Sequence, residues 1–366
     1  MQKKKIVHII PSLVKGGAER FVVDLCNELA IRGNCEIYLI SLFDNDLTAT
    51  FLEELSSGVI YHSLKKKKSF DPLVLIKLTK LLSKIKPDIV HTHINALEYA
   101  VCYKMANKKV AYFHTLHNDA YKECDSANVR KIRKWLYAES LIKPVTISQA
   151  SSSSFRECYS LANDCLIENG RTPVKEPIVR KKREELFPVD TAGAFVIVNV
   201  ARIAPAKNQA LLIDAVNRFN IENEKKCFLF IIGSVIDKQL YKELLLKKTD
   251  QVYFMGSQKN ISDFLYAADI FALSSIFEGM PISLIEALAA GCVPVSTPVG
   301  GIMEMLENGK TGFLSNDLSL DEYYKAISMG LKTIDKTAIK QNCIQEFNNK
   351  YNIAITAEKY MRLYEQ

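Results

Sequence analysis

The sequence predicts an α/β chain of two doubly wound, parallel-sheet domains facing across a cleft. Three observations carry that expectation. The chain has 366 residues, a length that suits two domains. Short β-rich runs alternate with longer helical patterns through the first half, and the alternation restarts after a break near residue 171. The halves also differ in charge: residues 1–172 hold 25 Lys and Arg against 18 Asp and Glu, residues 173–366 hold 23 of each, and all six histidines fall in the first half.

In order, Lys5–Ile10 reads as a strand and Gly16-Gly17 as a loop. Ala18–Arg32 sets Phe21, Val22, Leu25, Leu29 and Ala30 at helical spacing and stops at Gly33. Glu36–Leu42 is a strand, and Asp71–Lys86 an amphipathic helix with Pro72 near its start. Strands at Asp88–His93, Val110–Leu116 and Val145–Ser148 alternate with helices at Asn95–Asn107, Val129–Ile142 and about Gln149 to Tyr159. Residues 171–190 break the rhythm with three prolines and the charge run Arg180-Lys181-Lys182-Arg183-Glu184-Glu185, which reads as a linker. Beyond it, strands at Ala194–Val200, Phe228–Ile232, Val252–Met255, Ile270–Leu273 and Val293–Ser296 alternate with helices at Asn208–Asn220, Asp237–Leu246, Ile261–Ala267 and Pro281–Ala290. The segment Asn352–Gln366 has helical spacing at Ile355, Tyr360, Leu363 and Tyr364. Ligands of open α/β sheets sit beyond the carboxyl ends of strands, so those loops should line the cleft.

Composition excludes several classes. Hydrophobic residues at 48% and charged residues at 24% are ordinary globular usage, not that of a disordered, collagen-like or coiled-coil chain. No apolar run approaches the ~20 residues of a membrane span. Met1–Ile10 has three lysines ahead of an apolar run, but His8 and Pro11 interrupt it, so it reads as the first strand rather than a secretion signal. Nine scattered cysteines without Cys-x-x-Cys spacing read as reduced thiols of a cytoplasmic protein. The basic first half suits an anionic partner: a phosphorylated substrate, a lipid headgroup surface or nucleic acid; a solubilising charge excess explains it equally. Lys65–Lys68 and Arg130-Lys131-Arg133-Lys134 lack interleaved aromatics and no reader motif accompanies them, so no nucleic acid is expected.

Four constellations can carry chemistry. The strand ending in Ser274-Ser275 leads into Glu278-Gly279-Met280-Pro281, with Pro281 placed at the first position of a helix. Free amides and the helix dipole there favour an anion such as a diphosphate. Glu278 and Glu286 beside it would accept hydrogen bonds from sugar or ribose hydroxyls, although a capping and a solvated glutamate fit the spacing as well. Arg202, past a strand end, and Lys207, at the next helix start, could clamp phosphate oxygens, or be two exposed cations. Gly16-Gly17 between strand and helix permits close backbone approach to a ligand. His91 and His93 face one side of a strand end, and His114 and His117 flank the next. They read as polar residues of a cleft wall more readily than as a metal site, because no carboxylate or thiolate completes the pattern. Asp44-Asn45-Asp46 is explained by turn chemistry.

Together these residues resemble the glycosyltransferase B-type fold, specifically the large retaining family called group 1 or family 4. The resemblance runs from Gly16-Gly17-Ala18-Glu19-Arg20 to about Gly312. Its most specific stretch holds Ala268-Asp269, Ser274-Ser275, the Glu-x7-Glu pair Glu278/Glu286, Ala290-Gly291 and Pro298-Val299-Gly300-Gly301. Ala201-Arg202 with Lys207-Asn208 is similar to the family's phosphate-binding segment, and Thr146-Ile147-Ser148 with Glu168-Asn169-Gly170 to the end of its first domain. The resemblance implies an N-terminal Rossmann-like acceptor-binding domain over 1–172, with the helix 352–366 returning to it, and a nucleotide-sugar-binding domain over 173–351. It implies that Arg202 and Lys207 bind a diphosphate, that Glu286 holds ribose, and that Glu278 contacts sugar hydroxyls. It also implies that Gly279, Met280 and Pro281 surround sugar and phosphate, that Tyr253–Gly256 borders the base, and that Gly16 and Gly17 approach the donor. By the same resemblance His117 fits the position of the family's active-site histidine best, with His114 the alternative. At Gly233-Ser234-Val235 the chain departs from the family's Gly-x-Gly, and no donor contact is assigned there.

The expected reaction is retaining transfer of a sugar, from a UDP-hexose or UDP-N-acetylhexosamine before GDP-mannose, to a lipid-linked saccharide in bacterial surface polysaccharide synthesis. Arg202, Lys207 and the helix start would stabilise the leaving diphosphate without a metal, and no cofactor is expected. The location expected is cytoplasmic, reaching the inner face of the plasma membrane through the basic half. The alternatives are a nucleotide-sugar epimerase of the same fold and a non-catalytic partner subunit.

Overall fold

A computed structural model of the chain describes residues 3–43, 50–66, 71–124, 126–174, 182–333 and 335–366. The Asp44-Asn45-Asp46 motif, Lys67 and Lys68, and Arg180-Lys181 of the charge run lie outside the described residues. The chain forms two compact units, Met1–Thr172 with Tyr351–Gln366, and Pro173–Lys350.

The first unit holds strands β1 (Lys4–Ile10), β2 (Cys35–Phe43), β3 (Val59–Lys66), β4 (Ile89–His93), β5 (Ala111–Leu116), β6 (Lys143–Thr146) and β7 (Cys165–Leu166). They form one sheet in the order β3-β2-β1-β4-β5-β6-β7, and every adjacent pair is parallel. The second unit holds β8 (Phe195–Val200), β9 (Cys227–Ile232), β10 (Val252–Gly256), β11 (Ile270–Leu273), β12 (Pro294–Ser296) and β13 (Phe313–Leu314). Their order is β10-β9-β8-β11-β12-β13, again parallel throughout. In both sheets the strand order reverses between the first strand and the fourth, at β1/β4 and at β8/β11. That reversal opens the crevice where doubly wound sheets take their ligands.

Coverage by helices on both faces explains the composition of the central strands. All five residues of β4 and the last five of β1 are buried. The helix Gly17–Ile31 buries Phe21, Val22, Leu25 and Leu29, the face read from spacing. Asp71 caps Pro72–Ile85 by accepting from the Leu73 amide at 3.0 Å, and left-handed Lys86 ends that helix. Strand β3 has no sequence signal because it is an edge strand of mixed burial, without an apolar run. Strand β6 lies two residues before its expected place, and Ser148 instead caps Gln149–Tyr159 by accepting from the Ser151 amide at 3.1 Å.

The last helix, Ile353–Tyr364, packs on the first unit. Thr356 Oγ1 donates to the Glu168 carbonyl at 3.2 Å, and Arg32 donates to the Ala354 carbonyl at 2.6 Å. Tyr351, placed by sequence in the second domain, groups with the first unit. Its carbonyl accepts from the Arg171 amide at 2.8 Å, and the Arg171 carbonyl accepts from Ile353 at 3.0 Å. Among the described residues no helix is long and apolar enough to cross a membrane.

Gly170 lies directly under that helix: a Cβ there would stand 2.5 Å from Thr356 Oγ1 and 2.9 Å from the Ile353 Cα. Gly170→Ala should therefore loosen the last helix and cost about 1–3 kcal/mol, the usual penalty of overpacking. A urea titration followed at Trp135 reads it, since Trp135 is the only tryptophan and lies in the first unit.

Candidate active site

In the second unit the β8/β11 reversal brings two loops together. The chain leaves β8 alongside the chain leaving β9, with Ala201 N bonded to the Ile232 carbonyl at 3.0 Å and Ile203 N to the Ser234 carbonyl at 2.9 Å. Gly233 passes so close to the Ala201 carbonyl that a Cβ would overlap it. The one glycine kept from the family's pair is therefore required by packing. Arg202 is exposed at the carboxyl edge, and its carbonyl is anchored by the Gln209 side chain at 3.0 Å. Lys207 does not start the following helix. It ends a tight turn, Pro205–Lys207, and left-handed Asn208 separates it from the helix Gln209–Glu222.

That turn is joined to the loop after β11. Ser274 Oγ donates to the Lys207 carbonyl at 3.0 Å, and Ile276 N to the Ala206 carbonyl at 3.0 Å. Lys207 Nζ reaches Glu278 Oε1 at 2.6 Å, and Ser275 Oγ donates to the same oxygen at 2.7 Å. Glu278 is only 7% exposed, so its charge is held by this lysine and serine and not by solvent. Gly300, at φ 51°, presses on the Glu278 carbonyl where any side chain would collide, and Gly301 N bonds that carbonyl at 3.3 Å. The Gly-Gly of Pro298-Val299-Gly300-Gly301 thus supports the Glu278 loop.

Gly279 is half-buried and Met280 buried. Pro281 is the residue before the helix, not its first member; the helix is Ile282–Ala289. Leu284 and Ile285 bond back to the Pro281 carbonyl at 3.1 and 3.3 Å, which leaves the amides of Ile282 and Ser283 ahead of the first internal bonds. Glu286 sits one turn in, half-buried. Gly256 ends β10 at φ 63°, exposed, and its carbonyl takes the Gly233 amide at 2.9 Å.

In the first unit the β1/β4 reversal carries imidazoles. His8 and His91 are register neighbours, and His93 lies two residues on, so the three share a face. His8 Nδ1 meets His93 Nε2 at 3.0 Å, and His93 Nδ1 meets His117 Nε2 at 3.0 Å. His91 is bonded through Nδ1 to the Tyr364 hydroxyl at 2.5 Å and through Nε2 to Thr115 at 2.7 Å; Tyr360 bonds Thr115 at 3.1 Å. Gly16 precedes the helix beginning at Gly17, just past the end of β1.

The structure separates the two alternative histidines. His114 pairs in register with Thr92 and lies on the other face, its Nδ1 2.9 Å from Thr92 Oγ1 and its Nε2 3.3 Å from Glu123. His117 stands past the end of β5 on the His93 side, its backbone and that of Asn118 held by Glu123 at 2.7 and 3.1 Å. His114 is thus removed from any four-histidine ligand set. The nitrogens of His8, His91 and His93 lie within 4.8 Å of one another, but their planes are near parallel, at 16–30°, and those nitrogens bond one another and hydroxyls.

Burial is the largest cause of a downward shift at each of these histidines: His8 and His114 to about 3, His117 to about 4, His91 and His93 well below the ordinary value. All five are neutral at pH 7. Burial likewise raises Glu123, against the pull of Arg133. The basic cluster divides. Arg133 is 1% exposed and bonded to Glu98 at 2.7 Å, while Lys131, Ile132, Lys134 and Trp135 form the exposed face of the helix Ala127–Ala138. Sequence alone did not single out His8, Glu123, Tyr360 or Tyr364 for the site. His8 is masked by its apolar strand, the two tyrosines act only through tertiary contact, and Glu123 binds the nearby amides of His117 and Asn118, which spacing does not reveal.

Comparison with known proteins gives one consistent result. A family model described as glycosyl transferases group 1 matches residues 182–341, and one described as Glycosyltransferase Family 4 matches residues 15–170. The chain is 26% identical over 356 residues to the Escherichia coli UDP-Gal:alpha-D-GlcNAc-diphosphoundecaprenol alpha-1,3-galactosyltransferase, covering 89% of this chain and 86% of the relative. It is 28% identical to the Campylobacter jejuni N-acetylgalactosamine-N,N'-diacetylbacillosaminyl-diphospho-undecaprenol 4-alpha-N-acetylgalactosaminyltransferase, covering 91% and 90%. The crystal structure of Anabaena HepE in complex with UDP and glucose superposes with a TM-score of 0.83 at 22% identity, over 99% of both chains.

The buried imidazoles make the first unit acid-sensitive. Unfolded histidines take protons below about pH 6.5, whereas these take them only near 3 to 4, so the unfolded state binds more protons between those values. The stability they confer is present above about pH 6.5 and is lost as pH falls, by about 1 kcal/mol per histidine per pH unit. Urea midpoints at Trp135 should drop clearly from pH 7.5 to pH 5.0; equal midpoints would contradict the neutral cluster.

Proposed function

We propose that this chain, which belongs to the group 1 and family 4 glycosyltransferases of the B-type fold, moves a sugar from a UDP-linked hexose or N-acetylhexosamine to an acceptor hydroxyl. Transfer proceeds with retention at the anomeric carbon and without a metal ion, with GDP-mannose the second choice of donor. The observation that carries this reading is the convergence, at the β8/β11 reversal, of Arg202, Lys207 and the helix beginning at Ile282. Two cations and a helix start on one carboxyl edge suit a diphosphate.

As the bond to the sugar breaks, the diphosphate gains charge. Arg202 and Lys207 meet that charge, and fixed donors act at a leaving group without reorganisation. A diphosphate competes with Glu278 for Lys207, which frees the Glu278 carboxylate to accept from sugar hydroxyls. Glu286 holds the ribose, Gly279, Met280 and Pro281 surround the sugar, and Gly256 lies by the base. For Gly16, Gly17 and His117, which belong to the first unit, the family resemblance is the support: donor contact for the glycines and the active-site histidine for His117. The two relatives support a lipid-linked saccharide as acceptor, since both are named for a sugar linked to diphospho-undecaprenol. A place in bacterial surface polysaccharide synthesis is supported by a Staphylococcus aureus relative, 23% identical over 390 residues, named as a capsular polysaccharide biosynthesis glycosyltransferase. The uridine choice rests on the UDP-Gal relative and on HepE with UDP.

A ligand that binds only the folded state at a hundred times its Kd adds about 2.7 kcal/mol of stability. Thermal unfolding with UDP, GDP, ADP and their sugars should show a rise with the uridine series that persists in EDTA and disappears in Arg202→Ala. A rise with guanosine nucleotides alone would reassign the donor, and a rise abolished by EDTA would remove the metal-free mechanism.

The exposed Lys131, Ile132, Lys134 and Trp135 support a peripheral contact with an anionic membrane surface, where the acceptor's lipid would be anchored. Each lysine near such a surface contributes about 1 kcal/mol. The protein should co-sediment with vesicles rich in phosphatidylglycerol and be released at high salt, and Lys131→Glu with Lys134→Glu should weaken binding at least tenfold. Equal binding to neutral vesicles would argue against this face.

A further inference from the structure

The three imidazoles His8, His93 and His117 form a line that ends at the rim of the first unit, and the transferase reading uses only its last member. A neutral imidazole has one N–H and one lone pair. His93 contacts a ring nitrogen on each side at 3.0 Å, so it donates to one neighbour and accepts from the other. The line therefore has a direction. Three rings bring three protons, two lie in the contacts, and the third is left on one terminal nitrogen.

The terminal nitrogens are His8 Nε2 and His117 Nδ1, both buried and without a hydrogen-bond partner. They are not equivalent. His8 is 0% exposed, in the middle of a central strand, with the rings of His91 and Tyr364 as its aromatic neighbours. His117 is half-buried in the loop beyond β5, where ligands of this fold approach. An N–H without an acceptor is more costly than an unmatched lone pair, and although both nitrogens are shut off here, only His117 lies in a half-buried loop, where an oxygen can come within reach. The surplus proton therefore belongs on His117.

We infer that His8 and His93 are positioning residues that hold His117 in the Nδ1–H form, so that it offers a neutral hydrogen-bond donor at the carboxyl edge of the first unit. The partner this donor fits is an oxygen acceptor, a hydroxyl or phosphate oxygen of the donor or acceptor substrate; in this form the ring is not a base. That last step rests on the assignment of His117 to the reaction, whereas the tautomer does not. No other group in the described contacts sets the ring: Glu123 binds the backbone amide of His117, and Phe21 meets its edge at 5.7 Å between centroids.

Long-range proton–nitrogen correlation spectra of the full chain, labelled with nitrogen-15 histidine, read the tautomer directly and need no substrate. His8, His93 and His117 should all show the Nδ1–H pattern. In His8→Ala the His117 signals should move to an average of two tautomers. His8→Asn, whose amide nitrogen stands where Nδ1 was, should restore the Nδ1–H pattern. An Nε2–H pattern at His117 in the unaltered protein, or no change in His8→Ala, overturns the inference. Should His8→Ala fail to fold, the unaltered protein and His8→Asn decide it. If nucleotides fail to bind while the Nδ1–H pattern is found, the transferase reading falls and the tautomer assignment stands.

Discussion

A central parallel strand has helices on both faces and nothing to offer water. Every polar side chain it carries must find its partner inside the protein or remain unsatisfied. In the first unit that constraint falls on β1 and β4, which place His8, His91 and His93 in a sealed layer. Burial removes their charge, and their hydrogen bonds go to one another, to Thr115, to Tyr364 of the last helix and to His117. The placement of that helix and the orientation of the rim histidine both follow from satisfying this layer.

The second unit repeats the topology and answers the constraint differently. Its strands β8 and β11 are almost wholly apolar, and its polar groups gather just beyond their carboxyl ends. There Lys207, Glu278 and Ser275 satisfy one another within a small volume. A part-buried ion pair contributes little net stability but is costly to break from the lysine side only, which would leave the buried Glu278 without its cation. Such a pair suits a site where an incoming anion takes over one partner as the other turns to a neutral hydroxyl. Gly300 and Gly233 keep the loops at the close approach this arrangement needs.

The alternation of runs was enough to give two parallel sheets, because buried parallel strands are short and nearly continuous in apolar residues. Strand β3 carried no such run, being at an edge, and was not legible. Arg202, Lys207, Glu278 and Glu286 were legible as chemistry at strand ends, but the pairing of Lys207 with Glu278 was not, since 71 residues separate them. Spacing put His91 and His93 on one face; only the sheet register added His8 and sent His114 to the opposite side. Arg133 looked like part of a basic surface because a one-dimensional charge run does not reveal which helix position turns inward.

The return of the last helix has a consequence for how the protein is made. Thr356 bonds to Glu168 across 188 positions of chain, and Tyr364 completes the hydrogen bonding of His91. The second unit, by contrast, is one uninterrupted stretch, Pro173–Lys350. On a ribosome the second unit can therefore close while its elder neighbour, synthesised first, still lacks the piece that covers its histidine layer. Until that helix emerges, the apolar bed it will occupy beside Phe21 and Phe113 stays open, and the interval is a natural point for a chaperone to act.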